Sequence, residues 1–212
     1  MKSQTLDLTH PIHQEMLLYP GTPAVNLKKF NTIETNGFNE TQIKFTSHVG
    51  THIDAPAHLI KNGKLLTEFP AETFCGEAIF VDCKNCGPEI SISLLKENLK
   101  KKEIPDFVIL RTGNCEKWPN ESYLKDYPVL SFEAAKWLVN QGIKAVGIDA
   151  VSVDPLDSEK LPVHHIFLEN NVLIIENIKI PEALSGKRTD LVVAPLNFVE
   201  ADGAPVRIFA RI

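Results

Sequence analysis

Ala78-Ile79-Phe80-Val81-Asp82, Asp106-Phe107-Val108-Ile109-Leu110-Arg111 and Ala145-Val146-Gly147-Ile148-Asp149 are short apolar runs set apart by two segments of helical period. Runs of this length, rich in branched and aromatic residues, read as strands. The first intervening segment, Ser91–Lys102, starts with serines and carries Leu94, Leu95, Asn98 and Leu99 at helical spacing. Its lysine-rich end suits the negative pole of a helix dipole. The second, Ser131–Gln141, has a serine cap, Glu133 in its first turn, an apolar face of Phe132, Ala135, Leu138 and Val139, and Gly142 to stop it. Strand, helix, strand, helix, strand over Ala78–Asp149 predicts an α/β core. Further runs at Val172–Glu176, Leu191–Leu196 and Val206–Ala210 add strands and make the sheet mixed.

Outward from this core the composition narrows the function. With 212 residues and 43% hydrophobic content the chain can bury one substantial core, which predicts a single domain over residues 1–212. A net charge of -5 with interspersed lysines and acids leaves no basic stripe, so neither nucleic acid nor an anionic membrane is the expected partner. Met1–Thr9 lacks the apolar run of a signal peptide and no stretch approaches transmembrane length, which predicts a cytoplasmic protein. Cys75, Cys83, Cys86 and Cys115 are expected as reduced thiols. A zinc knuckle on Cys83 and Cys86 would need a second ligand pair at matching spacing, which the chain lacks.

The chemistry concentrates upstream, in Ser47-His48-Val49-Gly50-Thr51-His52-Ile53-Asp54-Ala55-Pro56-Ala57-His58. Imidazole and carboxylate are the ligands that zinc and manganese accept, and such ions lower the pKa of water toward neutrality. This points to a hydrolase. His48, His52, Asp54 and His58 fall on even positions and share one face of extended chain. Gly50, Pro56 and the residue before that proline oppose helix, so a strand running into a loop is expected. Extended, His48 to His58 would span roughly 33 Å, so the chain must bend for His48 to join His52 and Asp54 on one ion, and Gly50 is the expected bend. His58, furthest along, is free to stand outside the ligand set and move protons.

Two more segments carry polar residues where burial would be costly. Asp154–His165 is a proline-punctuated stretch, expected as a loop, ending in His164 and His165 before an apolar run. Glu176 closes the apolar run Val172–Ile175; periodicity alone puts it at a solvated strand end, whereas a buried carboxylate there would need a partner or a metal. Arg111 and Asp149 read equally as site-orienting groups or as a buried structural pair.

The series Asp7-Leu8-Thr9-His10-Pro11, Tyr19-Pro20-Gly21, His48–His58, Leu110-Arg111-Thr112, Gly147-Ile148-Asp149, Ser152–Asp157, Glu176-Asn177 and Ala201–Arg207 resembles the bacterial kynurenine formamidases and the wider cyclase, or metal-dependent hydrolase, family. The family's hallmark, His-x-Gly-Thr-His-x-Asp-x-Pro-x-His, is complete in this chain. The resemblance implies an α/β domain of the swivelling β/β/α type, its mixed sheet curled into a barrel-like core flanked by helices. It implies two divalent metal ions, zinc or manganese. His48, His52 and Asp54 would hold one, Asp54 would bridge to the second, and His164 and Glu176 would complete that second site. A histidine twelve residues before the Glu-Asn pair selects His164 over His165. His58 matches the proton-transfer residue, and a homodimer or higher homo-oligomer is implied.

By the same resemblance the activity is that of an arylformamidase, converting N-formylkynurenine to kynurenine and formate in tryptophan catabolism. Where the family has tryptophan followed by Pro-Gly-Asp, this chain has Tyr19 and then Thr22 after Gly21, which gives a smaller substrate wall carrying a hydroxyl. An alternative substrate is a cyclic amide such as isatin, against which Glu176 argues, because isatin hydrolases carry a neutral amide there. A second alternative is a non-catalytic, metal-dependent small-molecule binding protein, against which the presence of His58 argues.

Overall fold

The computed structural model describes residues 4–99 and 104–212. Its strands are β1 (Thr5–Asp7), β2 (Asn26–Asn31), β3 (Glu40–Lys44), β4 (His52–Asp54), β5 (Cys75–Asp82), β6 (Glu89–Ile90), β7 (Phe107–Arg111), β8 (Val129–Leu130), β9 (Ala145–Ile148), β10 (Leu173–Glu176), β11 (Arg188–Pro195) and β12 (Gly203–Arg211). The helices are α1 (Ile33–Asn36), α2 (Ile92–Asn98), α3 (Phe132–Gln141) and α4 (Pro162–Leu168). Strands β5, β7, β9 and β10 pair in parallel, connected through α2, α3 and α4. The antiparallel strands β11 and β12 extend the sheet from β5, and β4 pairs antiparallel with both β10 and β12. That last pairing closes seven strands into a mixed barrel, with β1 added along the free end of β12. The mixed, barrel-like sheet flanked by helices is the expected architecture.

Alternation along the strands sorts the core into two layers. Ile53, Phe80, Ile109, Leu173, Ile175, Val193 and Ile208 belong to one cluster fed by all parts of the barrel wall, the barrel interior. Their neighbours Ile79, Val81, Val108, Leu110, Val146 and Ile174 face the other way and pack against Leu95 of α2, Leu138 of α3 and Phe167 of α4. Period-2 alternation therefore puts Ile53 inside and turns His52 and Asp54 outward, on the same wall face as Ile174 and Glu176.

The helix signals act as read, with shorter ends. Ser91 Oγ accepts from the Leu94 amide at 3.3 Å and Ser131 Oγ from the Ala134 amide at 3.1 Å, and Gly142 caps α3 in left-handed geometry. The expected lysine-rich end of the first helix, Lys100–Lys102, lies outside the described residues. The buried face of α3 is Ala134, Ala135 and Leu138, whereas Phe132 is exposed and lies under the Lys136 ammonium at 4.6 Å.

Two elements depart from the sequence reading. The end of the expected 154–165 loop is helix α4, which starts with Pro162, the residue type that suits a first helical turn. Residues 26–44 form a separate two-stranded hairpin, β2 with β3, joined through α1. Its strands are solvent-facing on most positions, so no apolar alternation announces them.

Candidate metal centre

Four segments bring the polar residues together. Gly50 takes a φ of +62°, the left-handed geometry that glycine allows freely, and it turns the chain between His48 and β4 as expected. In the antiparallel ladder Glu176 lies directly opposite His52, and on the other side Gly203 lies opposite Asp54. A Cβ on Gly203 would lie 2.4 Å from His48 Cε1, so the missing side chain is what lets the His48 ring settle over the wall beside Asp54. Helix α4 then lays His164 over the same patch.

The resulting distances are short. Asp54 Oδ1 is 2.6 Å from His48 Nδ1 and 3.4 Å from His52 Nε2, while Oδ2 is 3.7 Å from His164 Nε2. Glu176 spans the other side, with Oε2 3.5 Å from His52 Nε2 and Oε1 3.3 Å from His164 Nε2. Glu176 is buried, not at a solvated strand end, and its Oε1 also accepts from the Val153 amide at 3.1 Å. His164 is buried at the site, whereas His165 is only half-buried and pairs with Glu169. His58 follows β4 on a single 3-10 turn, its ring centroid 4.0 Å from that of His48 and 6.4 Å from that of His164.

Outer hydrogen bonds fix which nitrogens point inward. His52 Nδ1 donates to the Gly50 carbonyl at 2.9 Å, leaving Nε2 for Asp54 and Glu176. His164 Nδ1 donates to Asp154 Oδ2 at 2.7 Å, leaving Nε2 for Asp54 and Glu176. This carboxylate–histidine pattern is how metal-binding imidazoles are oriented. Asp154 also accepts from the amides of Val163 and His164, so one buried carboxylate both caps α4 and aims its histidine. Asn177 donates to the Gly50 carbonyl at 2.9 Å and accepts from the Tyr123 hydroxyl at 2.8 Å.

Protonation shows what the donor set wants. Burial alone would push the His48 imidazole down, but Asp54 and Asp202 bring it up to about 9. Burial likewise opposes His164, yet Asp154, Glu176 and Asp54 raise it to about 10. Asp54 and Glu176 should rise on burial; instead the adjacent imidazoles hold both below the usual carboxylate range. The cluster thus gathers positive charge around buried carboxylates, and without a metal, protons supply it. Ligand-type atoms of His52, Asp54 and Glu176 lie within 4.8 Å of one another, as do those of His48, Asp54 and His58. Such a nitrogen and oxygen donor set fits divalent cations of the zinc and manganese type. His58 differs: burial, together with the charges of His48 and His164, outweighs the opposing pull of Asp54 and Asp202 and lowers its pKa from the usual imidazole value.

Above the cluster opens a cavity of about 560 Å³ whose walls include Leu18, Tyr19, Leu59, Trp118, Leu124 and Val151. The Tyr19 hydroxyl donates to the Leu156 carbonyl at 3.1 Å. Trp118 is held by a stack on His10, centroids 4.3 Å apart, and edge-on by Tyr123. The profile of the family described as "Putative cyclase" matches residues 6–155 of this chain. The chain belongs to that family.

Among cyclase-family relatives, the kynurenine formamidase of Bacillus cytotoxicus is 32% identical, with 99% of this chain and 98% of the relative covered. That of Bacillus cereus is 30% identical over the same shares. Of solved structures, a predicted metal-dependent hydrolase from Bacillus stearothermophilus superposes with a TM-score of 0.83 at 27% identity, covering 100% of this chain and 99% of its own. An isatin hydrolase bound to the product analogue thioisatinate reaches a TM-score of 0.89 at 20% identity, covering 99% and 92%, a likeness of fold.

Several contributors escaped the sequence reading. Asp154, Asp202, Asn177 and Trp118 all touch the site or its wall, and of these Asp154, Asp202 and Asn177 sit inside quoted segments without a role given to them. Arg111 and Asp149 do not pair: Arg111 reaches Glu116 at 3.3 Å and Asp82 at 3.6 Å, while Asp149 accepts from Thr112 and Gly113. Cys75, Cys83, Cys86 and Cys115 are free thiols, and burial pushes the Cys83 and Cys115 thiols up, away from reactivity.

Proposed function

We propose that this protein is a metal-dependent amidohydrolase whose substrate is an aryl formamide, with N-formylkynurenine the leading candidate. One observation carries the reading: oriented imidazoles and buried carboxylates converge at the floor of an apolar cavity, with His58 beside them. In this reading two divalent ions, zinc or manganese, are held by His48, His52 and Asp54 on one side and by Asp54, His164 and Glu176 on the other. The two oxygens of Asp54, facing different histidines, support its bridging role. When bound, such ions lower the pKa of water toward neutrality and polarise a carbonyl oxygen.

The chain's own groups do the rest. Water adds to the formyl carbon and its proton passes to His58. His58 returns that proton to the aniline nitrogen as the C–N bond breaks, so amide and water become arylamine and formic acid. An aniline nitrogen is a weak base, and a placed proton donor is the help its departure needs. Tyr19 and the apolar wall pack the aryl ring and exclude water.

Kynurenine formamidase relatives at about 30% identity over 99% of the chain support the formamide; the buried carboxylate of Glu176 supports a second cation. The exposed Phe30, Ile33, Phe38 and Ile43 on the hairpin support a homodimer or higher homo-oligomer, and the free cysteines support a cytoplasmic setting in which tryptophan breakdown runs. No helix among the described residues is long and apolar enough to cross a membrane. Residues 1–212 would form one hydrolase domain.

The test is a comparison of N-formylkynurenine with isatin on protein reconstituted separately with zinc and manganese. The reading expects kcat/KM of about 10⁴ M⁻¹s⁻¹ or more for the formamide, well above that for isatin. Preference for isatin moves the substrate to cyclic amides, and no turnover of any amide leaves a metal-binding protein.

A further inference from the structure

Asp202 touches two of the residues to which the proposed function gives separate tasks. It closes the loop that precedes β12, where its carbonyl accepts from the Ala55 amide at 2.9 Å while the Leu66 amide bonds to the carbonyl of Ala201. With Gly203 paired against Asp54 in the next ladder position, the Asp202 backbone is fixed to the strand that carries the ligand-type residues. Its Oδ2 lies 2.9 Å from His48 Nε2 and 3.7 Å from His58 Nδ1. The two rings lie against each other, tilted by 39°.

His48 therefore has a carboxylate on each nitrogen, Asp54 at Nδ1 and Asp202 at Nε2. The Asp54 side faces the cluster, so Asp202 occupies the outer position from which a carboxylate orients a metal-bound imidazole. The second contact is different in kind. At 3.7 Å the His58 nitrogen is too far for a hydrogen bond but near enough for charge attraction, and such contacts tighten in a reacting complex. A carboxylate at Nδ1 leaves the opposite nitrogen of His58 as the one that exchanges a proton.

We propose that Asp202 is a positioning residue shared by both tasks: it holds the Nε2–H of His48 and steers His58 by its negative charge, coupling metal capture to proton transfer. The proposal rests on the functional reading given above. Its two contacts separate in two variants, because a carboxamide still accepts the His48 N–H but carries no charge for His58.

The test uses the full-length protein with Asp202→Ala and the isosteric Asp202→Asn, each checked for wild-type melting. Zinc affinity is read by chelator competition and kcat and KM at saturating zinc. Asp202→Ala is expected to lose 10–100-fold in zinc affinity, the range typical of a removed outer carboxylate, and about tenfold or more in kcat with KM little changed. Asp202→Asn is expected to recover most of the zinc affinity and none of the kcat. Wild-type affinity in Asp202→Ala, or wild-type kcat in Asp202→Asn, overturns the proposal. If the wild-type protein hydrolyses no amide, the functional reading falls by itself, and the zinc affinities still decide whether Asp202 holds His48.

Discussion

Replacing Asp154 by asparagine should damage folding and metal capture together, because one buried carboxylate serves both. Its Oδ1 accepts from the Val163 amide at 3.0 Å, and its Oδ2 from the His164 amide at 2.9 Å and from His164 Nδ1 at 2.7 Å. An asparagine has one accepting oxygen. With that oxygen in the Oδ2 position, its NH₂ faces the Val163 amide, donor against donor. Turned the other way, the NH₂ faces His164 Nδ1, which must then accept, and the ring proton moves to Nε2, where it points at Asp54 and Glu176 and blocks a metal. An orphaned buried donor costs about 1–3 kcal/mol, and a chain of this size loses roughly 2–4 °C of Tm per kcal/mol, so a drop of about 2–12 °C is expected. Loss of the orienting carboxylate should cost 10–100-fold in zinc affinity. Calorimetry of the metal-free variant and chelator competition measure the two. An Asp154→Asn protein that matches the wild type in both would refute the assignment of His164 to the metal through its Nε2.

Other consequences are narrower. His58→Ala should retain zinc affinity within a few fold and lose kcat by about 10²–10⁴, the usual worth of a general acid–base group, whereas Asp54→Ala should lose both; equilibrium dialysis with steady-state kinetics separates them. The His10 imidazole, pushed by burial and by the Lys179 charge from 6.5 down to about 4, is neutral in the folded protein. The unfolded chain therefore binds more protons below pH 6.5, so this contribution is complete above pH 6.5 and is lost as pH falls toward 4, at most on the order of 3 kcal/mol. His10→Phe keeps the stack on Trp118, removes a buried ring nitrogen without a partner among the described residues, and should flatten the fall in Tm between pH 6.5 and 4; an unchanged pH profile would show that other groups set it. Tyr19→Ala should raise KM for the aryl formamide by about tenfold at nearly constant kcat, since the ring packs substrate and transition state alike.

The sequence disclosed the parts whose signal is local. Strands β5, β7 and β9, the caps Ser91, Ser131 and Gly142, and the bend at Gly50 follow from apolar runs, hydroxyl caps and a glycine. The grouping of His48, His52, Asp54 and His58 was legible for the same reason. What stayed hidden depends on pairing across the chain. Period-2 reasoning placed Glu176 in water because nothing local tells a strand end from a strand covered by α4. Asp202 and Gly203 acquire their meaning only when β12 pairs with β4, which closes the barrel some 150 residues after His52. Helix α4 was masked by the prolines and charges before it, since its cap is Asp154, eight residues upstream of Pro162, and no adjacent serine or aspartate marks the start. The hairpin of β2 and β3 lacked a signal because its strands bury little.

The two-ion site is tested most directly by a metal titration of chelator-stripped protein, with N-formylkynurenine turnover followed at each added equivalent of zinc or manganese. The stripped protein should show no turnover, and the rate should climb and level off at two ions per chain. Full turnover without metal would contradict the site, and a plateau at one ion would contradict the role given to Asp54 as a bridge.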